Sequence, residues 1–303
     1  MNGFYTDYAE YMRRFFPDYK VQKISVNTDA GCPNRDGTLG RGGCIYCDNT
    51  SFTPAYCFGH RSVEEQIEAG KRFFSRKYPD MRYLVYFQSY TGTHRKDVRE
   101  LEETYMTAAQ TPGVVGLIIG TRPDCLPEDV TDLLSELNRR LPVFVELGVE
   151  SMHDSTLRAI NRGHDSACSR NAIISLAGKG LHTGVHLIAG LPGESAQDTL
   201  DTVRQICELP VESVKFHHLQ ILRGTPLHSM WTEGQIDVKP LSADEYLDFC
   251  VKVTKTIPRS IAIERFLASS PPDKVIAPSW GLKNYQFTNL LINRLKQDKS
   301  ISK

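Results

Sequence analysis

No stretch of this 303-residue chain approaches the ~18 consecutive apolar residues that a membrane-spanning helix needs. The start, MNGFYTDYAEYMRRFFPDYK, carries no long apolar run behind a basic segment, so it does not read as a secretory signal. An excess of one charge is also missing: Lys+Arg and Asp+Glu both total 36. That balance removes any global argument for a nucleic-acid or membrane surface and leaves only local basic patches. There is no Gly-x4-Gly-Lys phosphate loop, no repeat at a fixed period and no low-complexity segment. These absences imply a cytoplasmic globular protein. In that setting the eight cysteines point to metal binding or catalysis rather than disulfides.

Three of those cysteines share one loop. Cys32, Cys44 and Cys47 read Cys-x11-Cys-x2-Cys within GCPNRDGTLGRGGCIYC. Three thiolates can hold three irons of a cubane cluster and leave the fourth without a protein ligand. Four thiolates are usual where a cluster only carries electrons. Zinc also binds thiolates, in closed sets of four ligands, and Cys57 is the nearest candidate to complete such a set. Gly31, Gly37, Gly40, Gly42 and Gly43 allow the loop to wrap closely around a bulky group. From the spacing alone, cluster and zinc both stand.

The middle of the chain alternates apolar strands with helical patterns. Strands are expected at Ile24–Asn27, Tyr83–Phe87, Val114–Ile119, Val143–Leu147, Thr183–Ile188 and Ser213–Leu219. Helices are expected at Ser62–Arg76, opened by a Ser62/Glu65 capping box, and at Asp97–Ala109, Glu128–Arg140, Ser155–Ile160, Ser166–Lys179 and Ala196–Glu208. Continuous apolar strands between helices imply a parallel sheet covered by helices. Six strand–helix steps are too few for a closed eight-unit barrel, so an α/β partial (β/α)6 TIM-like barrel is expected. The chain divides into an N-terminal helical segment (1–20), a core (21–222) and a proline-containing extension (223–303) packed on the open side of the sheet. In such folds chemistry collects at the C-terminal ends of the strands, where the cysteine loop, QSYTGT, GTRPDC, ELGVES, AGLPGES and HHLQILRGT all fall.

With these motifs in this order, the chain resembles a radical S-adenosylmethionine (radical SAM) enzyme. More closely, it resembles the short bacterial proteins related to the radical SAM subunit of Elongator. The likeness runs from about Val21 to Leu227, with an echo in IERFLASS. The superfamily motif is Cys-x3-Cys-x2-Cys; the lengthened first gap here is a feature of the Elongator-like branch.

The resemblance implies a [4Fe–4S] cluster on Cys32, Cys44 and Cys47, and S-adenosylmethionine on its open iron. It implies SAM contacts from Tyr46, from Gln88, Ser89 and Tyr90, from Glu150 and Arg162, from His186, and from Gly190 and Leu191 in AGLPGES. A flavodoxin- or ferredoxin-type electron donor or a reductase would be the protein partner, and a C5-modified wobble uridine of tRNA a candidate substrate. Without the resemblance, Glu150 would read equally well as a helix cap, Arg162 as an ion-pair residue and His186 as a core histidine.

At the end of the third strand, Arg122, Asp124 and Cys125 could meet substrate, with Cys125 as a candidate catalytic thiol. The alternative is a capping turn with a buried thiol. Of the neighbours His217 and His218, alternation along a strand directs at most one inward. Cys168, Cys207 and Cys250 fall in helical segments and are expected in the core.

Overall fold

The computed structural model describes residues 3–51, 53–58, 62–75, 80–94 and 97–298. Seven parallel strands form one curved sheet in the order β1-β2-β3-β4-β5-β6-β8. They are β1 (Val21–Val26), β2 (Arg82–Phe87), β3 (Val114–Thr121), β4 (Val143–Glu150), β5 (His182–Ala189), β6 (Ser213–His218) and β8 (Ala262–Arg265). A separate antiparallel pair joins β7 (Ile221–Leu222) to β9 (Val275–Ala277). The helices are α1 (Tyr8–Met12), α2 (Pro33–Asp36), α3 (Val63–Ser75), α4 (Val98–Gln110), α5 (Glu128–Asn138), α6 (Asp154–Ala159), α7 (Ser166–Gly178), α8 (Ala196–Cys207), α9 (Pro226–Thr232), α10 (Ala243–Thr256) and α11 (Asn284–Gln297).

The expected half-barrel is present, with one correction: the sheet has seven strands, not six. The C-terminal part does more than pack on the open side, because its β8 pairs with β6 and extends the sheet. A strand of four residues inside a proline-flanked region gives too short an apolar run to read as a strand. The local signals fared better. The Ser62 hydroxyl accepts from Glu65 N, and Glu65 Oε2 accepts from Ser62 N, as the capping box requires. The described part of that helix ends at Ser75; Arg76 lies outside the described residues.

Alternation along each strand sorts the interior into two parts. Val85, Phe87, Leu117, Ile119, Val145, Leu147, Val185, Leu187, Val214 and Phe216 face the helices and form the main core. The residues between them face the hollow of the barrel. At its lower end Leu84, Ile118 and Phe144 pack against Tyr11, Met12 and Phe16 of the N-terminal segment, which plugs that end. Higher up, the inward positions are polar, which is why the strands read as nearly continuous apolar runs broken by single charges. Among the described residues no helix is long and apolar enough to cross a membrane.

Candidate active site

A cavity of about 1140 Å³, counting its mouth, opens at the C-terminal ends of the strands. Cys32, Cys44 and Cys47 all line it, although Cys32 precedes α2 and the other two follow it. The loop is tightly built. A Cβ on Gly43 would come within 2.7 Å of Arg35 Nε, and one on Gly40 would collide with Asn34 Oδ1. Asn34 Nδ2 donates to Asn161 O at 2.6 Å and stands 3.8 Å from Cys44 Sγ. Arg35 Nη2 donates to Cys47 O at 2.7 Å. Burial and the neighbouring Cys44 push the Cys47 thiol up to about 11. A bound cationic metal centre reverses that repulsion and deprotonates such thiols.

Arg162 is buried against this loop. Its Nη1 donates to Cys44 Sγ at 3.5 Å, its Nη2 donates to Gly148 O, and its Nε has no partner. Glu150 Oε1 lies 3.7 Å from Nη2. Glu150 adopts φ +68° at the irregularity between Gly148 and Glu150, a left-handed conformation uncommon for a non-glycine residue. That kink turns its carboxylate toward Arg162. Arg122 grips Asp124 in a two-pronged ion pair (2.8 and 2.7 Å) and donates to Arg162 O at 2.7 Å, which fixes the backbone that carries Arg162.

Below this lies a buried polar network drawn from six strands. Glu146 Oε2 accepts from Tyr86 Oη (2.6 Å), His186 Nε2 (2.8 Å) and Lys215 Nζ (2.9 Å), and Oε1 accepts from Lys23 Nζ (2.7 Å). Glu264 bridges the same two lysines at 2.7 and 3.0 Å. Burial alone would raise the Glu146 carboxyl, but Lys215 and Lys23 hold it well below the ordinary carboxylate range. Burial and Lys215 keep His186 below its usual value, so a neutral ring donates through Nε2 to Glu146.

Among the described residues no three His, Cys, Asp or Glu side chains converge as ligands of a single ion would. Cys57, the candidate fourth zinc ligand, instead donates its thiol to Ser25 O at 3.1 Å and does not line the cavity.

The sequence matches the Radical SAM superfamily over residues 26–206 and the Radical_SAM C-terminal domain over residues 211–297. The chain belongs to the radical SAM superfamily. The Protein YhcC of Escherichia coli is 37% identical over 262 residues, 86% of this chain and 82% of that protein. The tRNA uridine(34) acetyltransferase of Methanocaldococcus infernus is 27% identical over 185 residues, 60% of this chain and 33% of its own length. Among solved structures, the M. infernus Elp3 with an N-terminal deletion has a TM-score of 0.67 at 19% identity, covering 93% of this chain and 64% of that one. This radical SAM enzyme is thus related to Elongator-type proteins, and it shares their partial-barrel fold.

Of the residues expected to contact SAM, Tyr46, Gln88, Tyr90, Glu150, Arg162 and His186 line the cavity of this radical SAM enzyme. Ser89, Gly190 and Leu191 do not. Ser89 is buried beside it, Leu191 packs in an apolar cluster with Ile188 and Leu219, and Gly190 faces Leu241. Cys125 also lies elsewhere. Its thiol lines a separate cleft with Leu39, His94 and Pro127, and burial and Asp124 push it up to about 12. His217 and His218 both reach the cavity wall, but only one of them points into the barrel, as alternation predicts. His217 points inward, while His218 stacks on Trp280 at 4.3 Å, held between the sheet and the C-terminal part. Cys250 is buried as expected, but Cys168 and Cys207 are only half-buried. Sequence reasoning missed Tyr86, Glu146, Lys215 and Glu264. A charged residue interrupting a buried strand, as in VFVEL and SVKFH, was the signal available.

Proposed function

We propose that Cys32, Cys44 and Cys47 hold one [4Fe–4S] cluster and that the adjoining cavity binds S-adenosylmethionine together with the substrate. When bound, the cluster supplies reductive cleavage of SAM at its fourth iron, giving methionine and a 5′-deoxyadenosyl radical that takes a hydrogen atom from substrate. The observation that carries this reading is the meeting of three thiols with Tyr46, Gln88, Tyr90, Glu150, Arg162 and His186 on the walls of one cavity.

Each side chain has a task that suits its chemistry. Arg162, fixed by Gly148 O and Cys44, offers its unpartnered Nε to the SAM carboxylate. The Glu150 carboxylate, turned inward by its left-handed backbone, accepts from ribose hydroxyls. Gln88 and Tyr90 stand at the end of β2 to receive the methionine amine. The enclosed cavity keeps the radical away from dissolved oxidants and stray hydrogen donors, so that it meets the bound substrate. A flavodoxin- or ferredoxin-type donor, or a reductase, delivers the electron.

Anaerobic reconstitution with iron and sulfide, then dithionite and SAM, tests the chemistry. The wild type should bind about four irons and release 5′-deoxyadenosine, and Cys32→Ala should lose both. Equal iron in the two proteins with no 5′-deoxyadenosine from either would sink the proposal.

For the substrate, we infer a C5-modified wobble uridine of tRNA. The support is the kinship with a tRNA uridine(34) acetyltransferase, a third of whose length matches 60% of this chain. Comparison of tRNA nucleosides from a deletion strain and its parent should show a changed wobble-uridine profile. An unchanged profile would count against this substrate while leaving the SAM chemistry untouched.

A further inference from the structure

A pair of asparagines locks the loop that carries the three thiols to the chain that follows α6. Asn34 Nδ2 donates to Asn161 O at 2.6 Å, and Asn161 Nδ2 donates back to Gly43 O at 2.8 Å and to Arg41 O at 3.2 Å. Gly43 N donates to Asn34 O at 2.8 Å. The Asn34 side chain is buried and has no room to turn. A Cβ on Gly40 would collide with its Oδ1, and one on Gly163 would lie 3.0 Å from it. A carbonyl oxygen can only accept, so the contact with Asn161 O fixes which end of the amide is nitrogen. That nitrogen is the end that also faces Cys44.

Cys44 is the deepest of the three thiols: it is buried, whereas Cys32 and Cys47 are half-buried. Water can donate to a half-exposed thiolate, but a buried one depends on the protein for its donors. Two side chains supply them. Asn34 Nδ2 stands 3.8 Å from Cys44 Sγ and Arg162 Nη1 3.5 Å, separations that suit the large sulfur atom. Arg162 is buried and also donates to Gly148 O, so it cannot swing away to solvent. Neither residue is a thiolate ligand, so what they offer Cys44 is hydrogen bonding and, from Arg162, charge. Such a bond strengthens as negative charge on the sulfur grows. An electron added to a cluster increases the negative charge on its sulfurs, and hydrogen bonds to those sulfurs are among the factors that set its potential.

We propose that Asn34 and Arg162, through N–H···S bonds to Cys44, hold the reduction potential of the cluster above the value that the three thiolates alone would give. The proposal rests on reading Cys44 as a cluster ligand. To test it, anaerobically reconstituted protein is titrated electrochemically without SAM, the EPR signal of the reduced cluster is followed, and iron is measured on the same samples. Asn34→Leu keeps the bulk of the side chain and removes the donor. It should titrate at a more negative potential, with severalfold less cluster reduced at a fixed potential. Arg162→Met removes a donor and a charge and should lie more negative still, with Arg162→Lys between it and the wild type. A role confined to holding the loop would lower iron uptake and leave the potential of the loaded protein where it was. Iron-replete variants with the wild-type potential, or a more positive one, overturn the proposal and leave the cluster reading intact, whereas a wild type that takes up no iron overturns both. If Asn34→Leu takes up no iron, the two Arg162 variants decide.

Discussion

Arg162 owes its place to the absence of a side chain at Gly148. A Cβ there would lie 2.7 Å from Arg162 Nη2 and 2.8 Å from Glu150 Oε1. Gly148→Ala should therefore displace both residues, since neither can give way without losing Cys44 or the kinked backbone. SAM affinity of the reconstituted protein should fall at least tenfold, about 1.4 kcal/mol, with the far-ultraviolet circular dichroism unchanged. An unaltered SAM titration would mean that this pair does not touch SAM. At this scale the family resemblance was a partial guide: Glu150 and Arg162, which it named, line the cavity, whereas Gly190, Leu191 and Ser89 stand beside it rather than on it. Which atom of a turn faces a hollow depends on the backbone angles of a few residues, and those are set by packing.

Elements are joined here by charge as much as by apolar contact. Glu146 collects donors from β1, β2, β5 and β6, and β8 completes the ring through Glu264. Replacing Glu146 with Gln strands Lys23 and Lys215 with a single carboxylate. By the cost of breaking a buried ion pair, about 3–5 kcal/mol of stability should be lost, read from urea unfolding at neutral pH. The sign of the pH dependence follows from the depressed carboxyl. Its contribution is complete above the unfolded value of about 4.3 and is lost as pH falls toward the folded one. Wild type should lose stability on acidification through that range, and Glu146→Gln should lose less. Equal slopes would contradict the assignment. The caps and strand periods of the elements were legible because each is a local matter, as Ser62 with Glu65 illustrates. β8 was not, because its short apolar run becomes a strand only by pairing with β6.

For the molecule as a whole, the C-terminal part completes the barrel rather than decorating it. It supplies β8, the Trp280 that stacks on His218, and the Lys274 ammonium that reaches back to Asp48, one residue past Cys47 (2.6 Å). The sequence by itself determined the parallel α/β architecture, the three-thiol loop and the family, because strand periodicity, thiol chemistry and motif order are properties of neighbours along the chain. Only the tertiary structure decided which side chains share the cavity, that Cys125 lies outside it, and that β4, β6 and β8 bring Glu146, Lys215, Glu264 and Arg265 together. Those residues are separated by up to 119 positions in the chain. They come together through sheet register and one bulge, and register is set by the packing of the whole barrel rather than by any segment of it.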